Sequence, residues 1–275
     1  MKTAVVILSL NAGPDFEAVL QSHAGQSFTP ELRLLIDSGS TDSTVETARK
    51  YGWLTEVRDR SSFNHGRTRQ QAAEYLAARG FECVIMATQD VLPAEKETLE
   101  NLVSALKKHK AGVAYARQMP LTRSGMDGFF RLRNYPPESR VKSAADIPEL
   151  GLMTVFCSDS LAAWDLKKIA AAGGFPETQF GEDMLLAAAL IRRGEKVVYC
   201  AESRCIHEHK NSFTELFRRG AAIGRMHREH PELRREFGSM GKCAAKQLKL
   251  TEMLRFFLPL SVKYAGVLWG KFGKK

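Results

Sequence analysis

Asp90 follows the apolar run Val84-Ile85-Met86-Ala87, in the stretch Thr88-Gln89-Asp90-Val91-Leu92-Pro93. Such a run reads as a buried strand, which places Asp90 at its C-terminal end. One carboxylate there can hold a divalent cation whose remaining ligands are phosphate oxygens. His207 and His209 stand in Cys205-Ile206-His207-Glu208-His209, just after the last core strand, Lys196 to Cys200. Alternate residues of an extended segment share a face, so one of these His beside Asp90 makes an economical second metal ligand. A zinc site of Cys200, Cys205, His207 and His209 competes, but the spacing lacks the paired C-x₂-C clusters of structural zinc sites. A second feature suits phosphate. Phe63-Asn64-His65-Gly66-Arg67-Thr68-Arg69 is cationic, contains a glycine and precedes a helical pattern with Ala72, Ala73 and Leu76. A cationic loop at a helix start suits a diphosphate; a bare surface loop is the alternative. The third feature is the carboxylate pair Glu182-Asp183. It follows Gly173-Gly174-Phe175-Pro176 and opens the almost wholly apolar run Met184 to Ile191. Asp and Glu are favoured in a helix's first turn, where free N–H groups meet negative charge. The pair therefore sits at the mouth of a largely buried helix, and taken alone it is a plain N-terminal charge pair.

The elements that must position these residues read as a parallel α/β rhythm. Residues 4–10 form a buried strand, 15–24 a helix, 32–36 a second strand, and Asp37-Ser38-Gly39-Ser40-Thr41-Asp42-Ser43 a polar loop before another helix. Helix 95–107, strand 112–116 ending in Arg117-Gln118, helix 161–171 and strand 196–200 follow. Residues 119–150, with Pro120, Pro136, Pro137 and Pro148, read as a long irregular excursion. In open α/β sheets, ligands bind at the carboxyl ends of the strands. Asn11 and Asp37 lie there, and Asp37 can accept from a base or ribose; a helix cap is the other reading for Asp37 and Asp42.

At 275 residues the chain can bury a full core, as one large domain or as a domain with an appendage. Five Cys make no even framework, so reduced thiols in a cytosol are the default. The apolar start, Met1 to Leu10, fits a buried first strand better than a signal peptide, because it runs into Asn11-Ala12-Gly13-Pro14 without a convincing cleavage site. The net charge of +9 is not evenly spread. From Arg204 on, the chain carries 16 Lys and Arg against 6 Asp and Glu, while the first 203 residues hold 24 against 25. That asymmetry points to an anionic partner, either a membrane surface or a nucleic acid. Nucleic acid is the weaker reading, because the tail shows neither interleaved aromatic and basic residues nor a helix-turn-helix signature. Residues 213–227 carry apolar residues at helical spacing. Leu248 to Trp269 is richer still in Leu, Phe and Val, but Pro259 and Lys263 interrupt its most apolar part, which is too short to span a bilayer. An interfacial helix fits, with Lys and Arg meeting anionic lipid; packing on the protein's own core or a dimer contact is the alternative.

Taken together, these stretches resemble the family-2 nucleotide-sugar glycosyltransferases of GT-A fold, and within them the bacterial rhamnosyltransferase branch. The residues that carry the resemblance are Leu8-Ser9-Leu10-Asn11, Ile36 to Asp42, Phe63 to Arg69, Thr88-Gln89-Asp90, Ala116-Arg117-Gln118, Gly173 to Pro176 with Gly181-Glu182-Asp183, and His207-Glu208-His209. Phe217-Arg218-Arg219-Gly220 and Ile223-Gly224 add to it. The resemblance implies an α/β fold with a mostly parallel central sheet flanked by helices. It implies a transferase domain over 1–210, divided into a nucleotide-sugar half (1–118) and an acceptor half (119–210), and a basic helical extension over 211–275. By position, Asn11 and Asp37 would contact the nucleotide, and His65, Gly66 and Arg67 would lie by the diphosphate, with Gln89 and Arg117 also on the donor side. Asp90, helped by His207 or His209, would bind Mg²⁺ or Mn²⁺; Asp183 would be the catalytic base, with Glu182 beside it. One departure stands out: the family's Asp-x-Asp has Thr88 at its first position. The implied reaction is inverting transfer of a sugar, rhamnose from dTDP-rhamnose, to a growing cell-surface polysaccharide or lipid-linked glycan. It would take place in the cytoplasm, at the inner face of the membrane. A UDP- or GDP-linked hexose donor and a non-catalytic nucleotide-sugar-binding regulator are the alternatives.

Overall fold

Successive residues of the first strand, β1 (Thr3–Ser9), serve opposite faces of one sheet. Val6 and Leu8 pack into one core with Met86, Trp164, Leu186 and Leu190; Val5 and Ile7 pack into another with Leu35, Ile85, Leu99 and Leu102. Both faces of β1 are thus covered, which is why its sequence is a continuous apolar run rather than an alternation. Each fully buried Leu or Ile contributes roughly 1.5–3 kcal/mol by leaving water. The computed structural model describes residues 1–121, 125–207, 212–238 and 255–273.

The remaining strands are β2 (Leu32–Asp37), β3 (Leu54–Val57), β4 (Cys83–Thr88), β5 (Leu92–Pro93), β6 (Val113–Met119), β7 (Arg140–Lys142), β8 (Leu161–Asp165) and β9 (Val197–Ile206). The helices are α1 (Phe16–Ala24), α2 (Thr44–Lys50), α3 (His65–Ala77), α4 (Thr98–His109), α5 (Gly125–Asn134), α6 (Ile147–Leu150), α7 (Leu166–Ala171), α8 (Glu182–Arg192), α9 (Phe213–Glu229), α10 (Pro231–Phe237) and α11 (Phe257–Phe272). The mostly parallel sheet runs β3-β2-β1-β4-β8-β6-β9-β5, with β7 on β9. Pairing is parallel along β3-β2-β1-β4 and again between β6 and β9. Because β2 and β4 flank β1 on opposite sides, the chain switches direction there. Asn11, Asp37 and Asp90 follow or end these three strands, at the crevice where α/β sheets bind ligands.

Two expectations need correction. Residues 161–165 are not the start of a helix: they form β8, antiparallel to both β4 and β6. Ala162 and Ala163 favour a helix in isolation, but burial between two strands overrides that local preference. The reversal has a consequence for the site. The start of β8 lies beside the end of β4, where Thr88 N–H donates to Ser160 O at 3.2 Å. The stretch 119–150 is also less irregular than expected, for it carries α5, β7 and α6.

At the C-terminal end, α9 and α11 lie against each other through glycines. Side chains at Gly220 and Gly224 would collide with the carbonyls of Lys263 and Val267, and side chains at Gly266 and Gly270 with those of Phe217 and Ala221. The backbones touch where a Cβ would stand. Met226, Leu233 and Phe237 join the core beside α8, anchoring α9 and α10 to the sheet and its flanking helices. α11 thus packs on the protein by its glycine face. Its other face leaves Phe257, Tyr264, Trp269 and Phe272 exposed.

Candidate active site

The end of β2 forms a tightly bonded loop. Asp37 is fully buried, and its Oδ1 accepts from Gly39 N–H (3.0 Å) and Ser40 N–H (2.7 Å). Its Oδ2 accepts from Ser9 Oγ (2.8 Å) and Ser40 Oγ (2.6 Å). Asp37 therefore fixes the loop it begins. Asn11 takes a left-handed backbone (φ 47°), and its Oδ1 accepts from Thr41 N–H at 2.8 Å. Asp42 accepts from Thr44 N–H (3.1 Å), as a cap does, and also from Gly13 N–H (3.0 Å). Gln89 clasps the backbone of Leu10: its Oε1 accepts from Leu10 N–H (2.7 Å) and its Nε2 donates to Leu10 O (3.2 Å). Asn11, Asp37 and Gln89 thus shape one crevice, each through contacts within the protein.

At the end of β4, Asp90 meets His207. Asp90 Oδ2 lies 3.2 Å from His207 Nε2. Thr88, where the family pattern has a carboxylate, donates from Oγ1 to Asp90 Oδ1 at 2.7 Å. His207 is buried, with Nδ1 2.9 Å from Gln118 Oε1 and 3.1 Å from Arg131 Nη1; Arg131 also donates to Gln118 Oε1. Nδ1 faces both an acceptor, Gln118 Oε1, and a donor, Arg131 Nη1, so these contacts are compatible with either tautomer of His207. An imidazole nitrogen and a carboxylate oxygen 3.2 Å apart share a proton when Nε2 carries one, and with Nε2 unprotonated the same two atoms would suit a divalent ion. Among the described residues no three His, Cys, Asp or Glu side chains gather to hold a metal, so the pair would leave other positions to phosphate or water. His209 lies outside the described residues.

At the mouth of α8, Gly181 adopts φ 80°, where a side chain would be strained, and Met226 Sδ of α9 packs where a Cβ would stand. Glu182 and Asp183 then occupy the first turn, as expected, yet their surroundings differ. Glu182 is buried and its Oε1 is bound by Arg69 Nη1 at 2.5 Å. Arg69, itself buried, also places Nε 2.9 Å from Asp159 Oδ2 in an ion pair whose angle is too poor for a hydrogen bond. Asp159 Oδ1 accepts from Trp164 Nε1 at 2.7 Å. Asp183 instead takes only backbone N–H groups: Met184 at 2.7 Å on Oδ1 and Asp159 at 3.2 Å on Oδ2. Burial, with Glu182 and Asp159 beside it, pushes the Asp183 carboxyl above the usual carboxylate range, while Arg69 opposes the shift. Of the two carboxylates, Glu182 is committed to a guanidinium and Asp183 is the one equipped to accept a proton.

The remaining expected residues make contacts of their own. His65 opens α3, which Asn64 caps by accepting from Arg67 N–H at 3.0 Å. His65 Nδ1 lies 3.3 Å from Arg69 Nη1, and burial, then Arg69, lowers its proton affinity. Gly66 donates to Thr178 O at 3.1 Å, and a side chain there would collide with Pro176 O, so the glycine lets the 173–178 loop close on α3. Arg67 is exposed and paired with Glu177. Arg117 Nε donates to Tyr135 O at 3.1 Å. Residue types alone did not single out Asp159, Arg131 or Ser158, whose Oγ accepts from Gln118 Nε2 at 2.8 Å. Ser158 and Asp159 link the Asp90–His207 pair to Asp183.

Residues 4–163 match the family described as Glycosyl transferase family 2. The chain belongs to that family. It is 35% identical over 285 residues to the O-antigen chain rhamnosyltransferase RfbN of Salmonella typhimurium, covering 100% of this chain and 90% of that protein. It is also 35% identical to the O-antigen chain rhamnosyltransferase WbaN of Salmonella anatum, over 92% of this chain and 83% of that protein. Among solved structures it is similar to the mannosyltransferase PcManGT of Pyrobaculum calidifontis in complex with GDP-Man and Mn2+, with TM-score 0.65, 16% identity, and coverage of 100% of this chain and 88% of that one. Similarity extends to S. aureus TarS 1-349 in complex with UDP-GlcNAc, with TM-score 0.59, 16% identity, and coverage of 97% and 82%. The chain is a family-2, rhamnosyltransferase-like glycosyltransferase with the GT-A fold.

Proposed function

We propose that this glycosyltransferase moves rhamnose from dTDP-rhamnose to a hydroxyl of a growing cell-surface polysaccharide or lipid-linked glycan, with inversion at the anomeric carbon. The observation that carries the reading is Asp183: a carboxylate with raised proton affinity, held by two backbone N–H groups and left out of the Arg69 ion pairs. In the reaction the acceptor oxygen bonds to the anomeric carbon as the bond from that carbon to the diphosphate breaks. The hydroxyl proton passes to Asp183, and the nucleoside diphosphate leaves. Single displacement on one face inverts configuration.

Donor binding is assigned to the crevice shaped by Asn11, Asp37 and Gln89, with His65, Gly66 and Arg67 on the diphosphate side and Arg117 behind Tyr135. Asp90 and His207 would hold Mg²⁺ or Mn²⁺, with His209 as the further expected ligand. Such an ion, when bound, neutralises charge on the departing diphosphate. Residues 1–210 would form the transferase body and 211–275 the basic extension.

The membrane reading belongs to the same proposal. No helix among the described residues is long and apolar enough to cross a bilayer. α11 nevertheless turns Phe257 (67% exposed), Trp269 (61%) and Phe272 (70%) outward, with Arg255, Lys263 and Lys271 near them. An apolar face bordered by cations supports docking at an anionic surface; the proposed location is the inner face of the cytoplasmic membrane, where a lipid-linked acceptor would be met.

Release of nucleoside diphosphate from dTDP-rhamnose, UDP-glucose, UDP-GlcNAc and GDP-mannose, each with Mg²⁺, Mn²⁺ or chelator, tests the donor. Preferential turnover or tighter binding of dTDP-rhamnose supports the reading; a preference for a uridine- or guanosine-linked sugar overturns it.

A further inference from the structure

Arg69, Asp159, Glu182 and Asp183 form one cluster drawn from three parts of the chain: α3, the turn before β8, and the first turn of α8. Arg69 stands between Glu182 (2.5 Å) and Asp159 (2.9 Å). All three are buried, with side chains 3–8% exposed. Asp159 is fixed a second time, by the indole N–H of Trp164 at 2.7 Å, and Trp164 is fully buried in the core. The residue so anchored then uses its own backbone N–H to hold Asp183 Oδ2. A buried Arg with two carboxylates is a poor device for stability alone, since apolar replacements often serve as well. Here the cluster is joined directly to the one carboxylate that is not ion-paired.

We infer that Arg69 and Asp159 are positioning residues for the base: Arg69 locks Asp159 and Glu182, and Asp159 in turn sets both the orientation of the Asp183 carboxylate and the charge around it. The inference rests on the reading of Asp183 as the base. Three carboxylates gather around one guanidinium that pairs with only two of them, so the mouth of α8 carries more negative than positive charge. A carboxylate in such a place binds a proton more tightly than one in water, which suits a base working near neutral pH. The other groups facing this cluster are His65 on α3, with Nδ1 3.3 Å from Arg69, and Cys157 and Tyr135. Burial holds the thiol and the phenol in their neutral forms, so neither adds charge across the working range. His65 does titrate nearby and has to be separated from Asp183.

The test is the titration of Asp183 itself, followed by carboxyl carbon-13 NMR of aspartate-labelled full-length protein. The resonance is identified by its loss in Asp183→Asn. Glu182→Gln and Asp159→Asn each remove one negative charge and should lower its midpoint by about half a pH unit or more. Arg69→Met removes the positive charge and should raise it. The acidic limb of kcat/KM with dTDP-rhamnose should move with each midpoint, and the displacement should persist in a His65→Gln background. Opposite displacements by opposite charge changes are something a merely structural network would not give. If Glu182→Gln and Asp159→Asn leave the midpoint unmoved, or if all three variants displace it the same way, the inference is wrong; should Arg69→Met not fold, the two near-isosteric variants decide. If Asp183→Asn turns over normally, it is the base assignment that fails instead, and the NMR midpoints still report whether the cluster controls Asp183.

Discussion

Thr88 donates its hydroxyl to Asp90 Oδ1 at 2.7 Å, which leaves Asp90 Oδ2 turned to His207 Nε2. The threonine that departs from the Asp-x-Asp pattern thus orients the surviving carboxylate. Thr88→Val keeps the shape and removes the hydroxyl. It should raise the divalent-ion concentration needed for half-maximal turnover by about tenfold or more, the scale of loss when a group that orients a metal ligand is removed. Asp90→Ala should abolish the metal response, and His207→Ala should weaken it. Titration of activity with Mn²⁺ checks all three; full activity in excess chelator would show that the pair has another purpose.

Asp183→Asn should reduce transfer by several orders of magnitude while leaving affinity for dTDP-rhamnose within a few fold, because the lost group acts mainly in the transition state. Glu182→Gln should be milder, since its amide oxygen can still accept from Arg69. Single-turnover transfer together with calorimetric binding separates the two effects. Equal losses in both variants would place Glu182, not Asp183 alone, in the proton transfer.

Much of this site was legible because its residues end strands. Apolar runs located β1, β2 and β4, and the polar residues just after them fell at the sheet's binding edge. The internal partners of those residues were not legible. Asp37 reads as a ligand for a base, but that Ser9 and Ser40, from different segments, also bond to its oxygens is visible only in the fold. Arg69 reads as part of a phosphate loop, yet its helix turns it inward to Glu182 and Asp159. Asp159 carries no local signal: its meaning depends on β8 being a strand, and the alanines of β8 speak for a helix. The glycines at 220, 224, 266 and 270 are visible in the sequence, but that each pair is the other's partner is a fact of tertiary packing alone.

His23 on α1 offers a test of stability against pH. It is buried edge-on against Trp53 (5.7 Å between ring centroids), and neither ring nitrogen has a hydrogen-bond partner. Burial, then Arg33, lowers its pKa from 6.5 to about 3. The unfolded chain therefore binds a proton that the native state refuses throughout that interval, so stability falls as pH drops below 6.5 and levels off near 3. At pH 5 the loss from this one group is about 2 kcal/mol. His23→Leu should shrink the gap between urea midpoints measured at pH 7.5 and pH 5. An unchanged gap would place the acid sensitivity elsewhere.

The α9–α11 pair yields the last prediction, which separates how α11 is held from what it is held for. Gly220, Gly224, Gly266 and Gly270 allow the two backbones to touch, so a side chain at any of them must push the helices apart. Gly266→Val, aimed at Phe217 O, should detach α11 and expose it to limited proteolysis while leaving the body, with its own two cores, folded. The outward residues play no part in that packing. Phe257→Ser, Trp269→Ser and Phe272→Ser combined should leave the thermal midpoint and proteolysis pattern nearly unchanged, because surface changes away from packed contacts move stability little. The same triple variant should lose binding to vesicles of phosphatidylcholine and phosphatidylglycerol in co-sedimentation at low salt. Each Lys or Arg near an anionic surface adds about 1 kcal/mol, so binding by the unaltered protein should also weaken as salt rises. If the unaltered chain stays in the supernatant at low salt, α11 is not a membrane contact. If the triple variant sediments like the unaltered chain, the basic residues alone bind and the aromatic face has no part in docking.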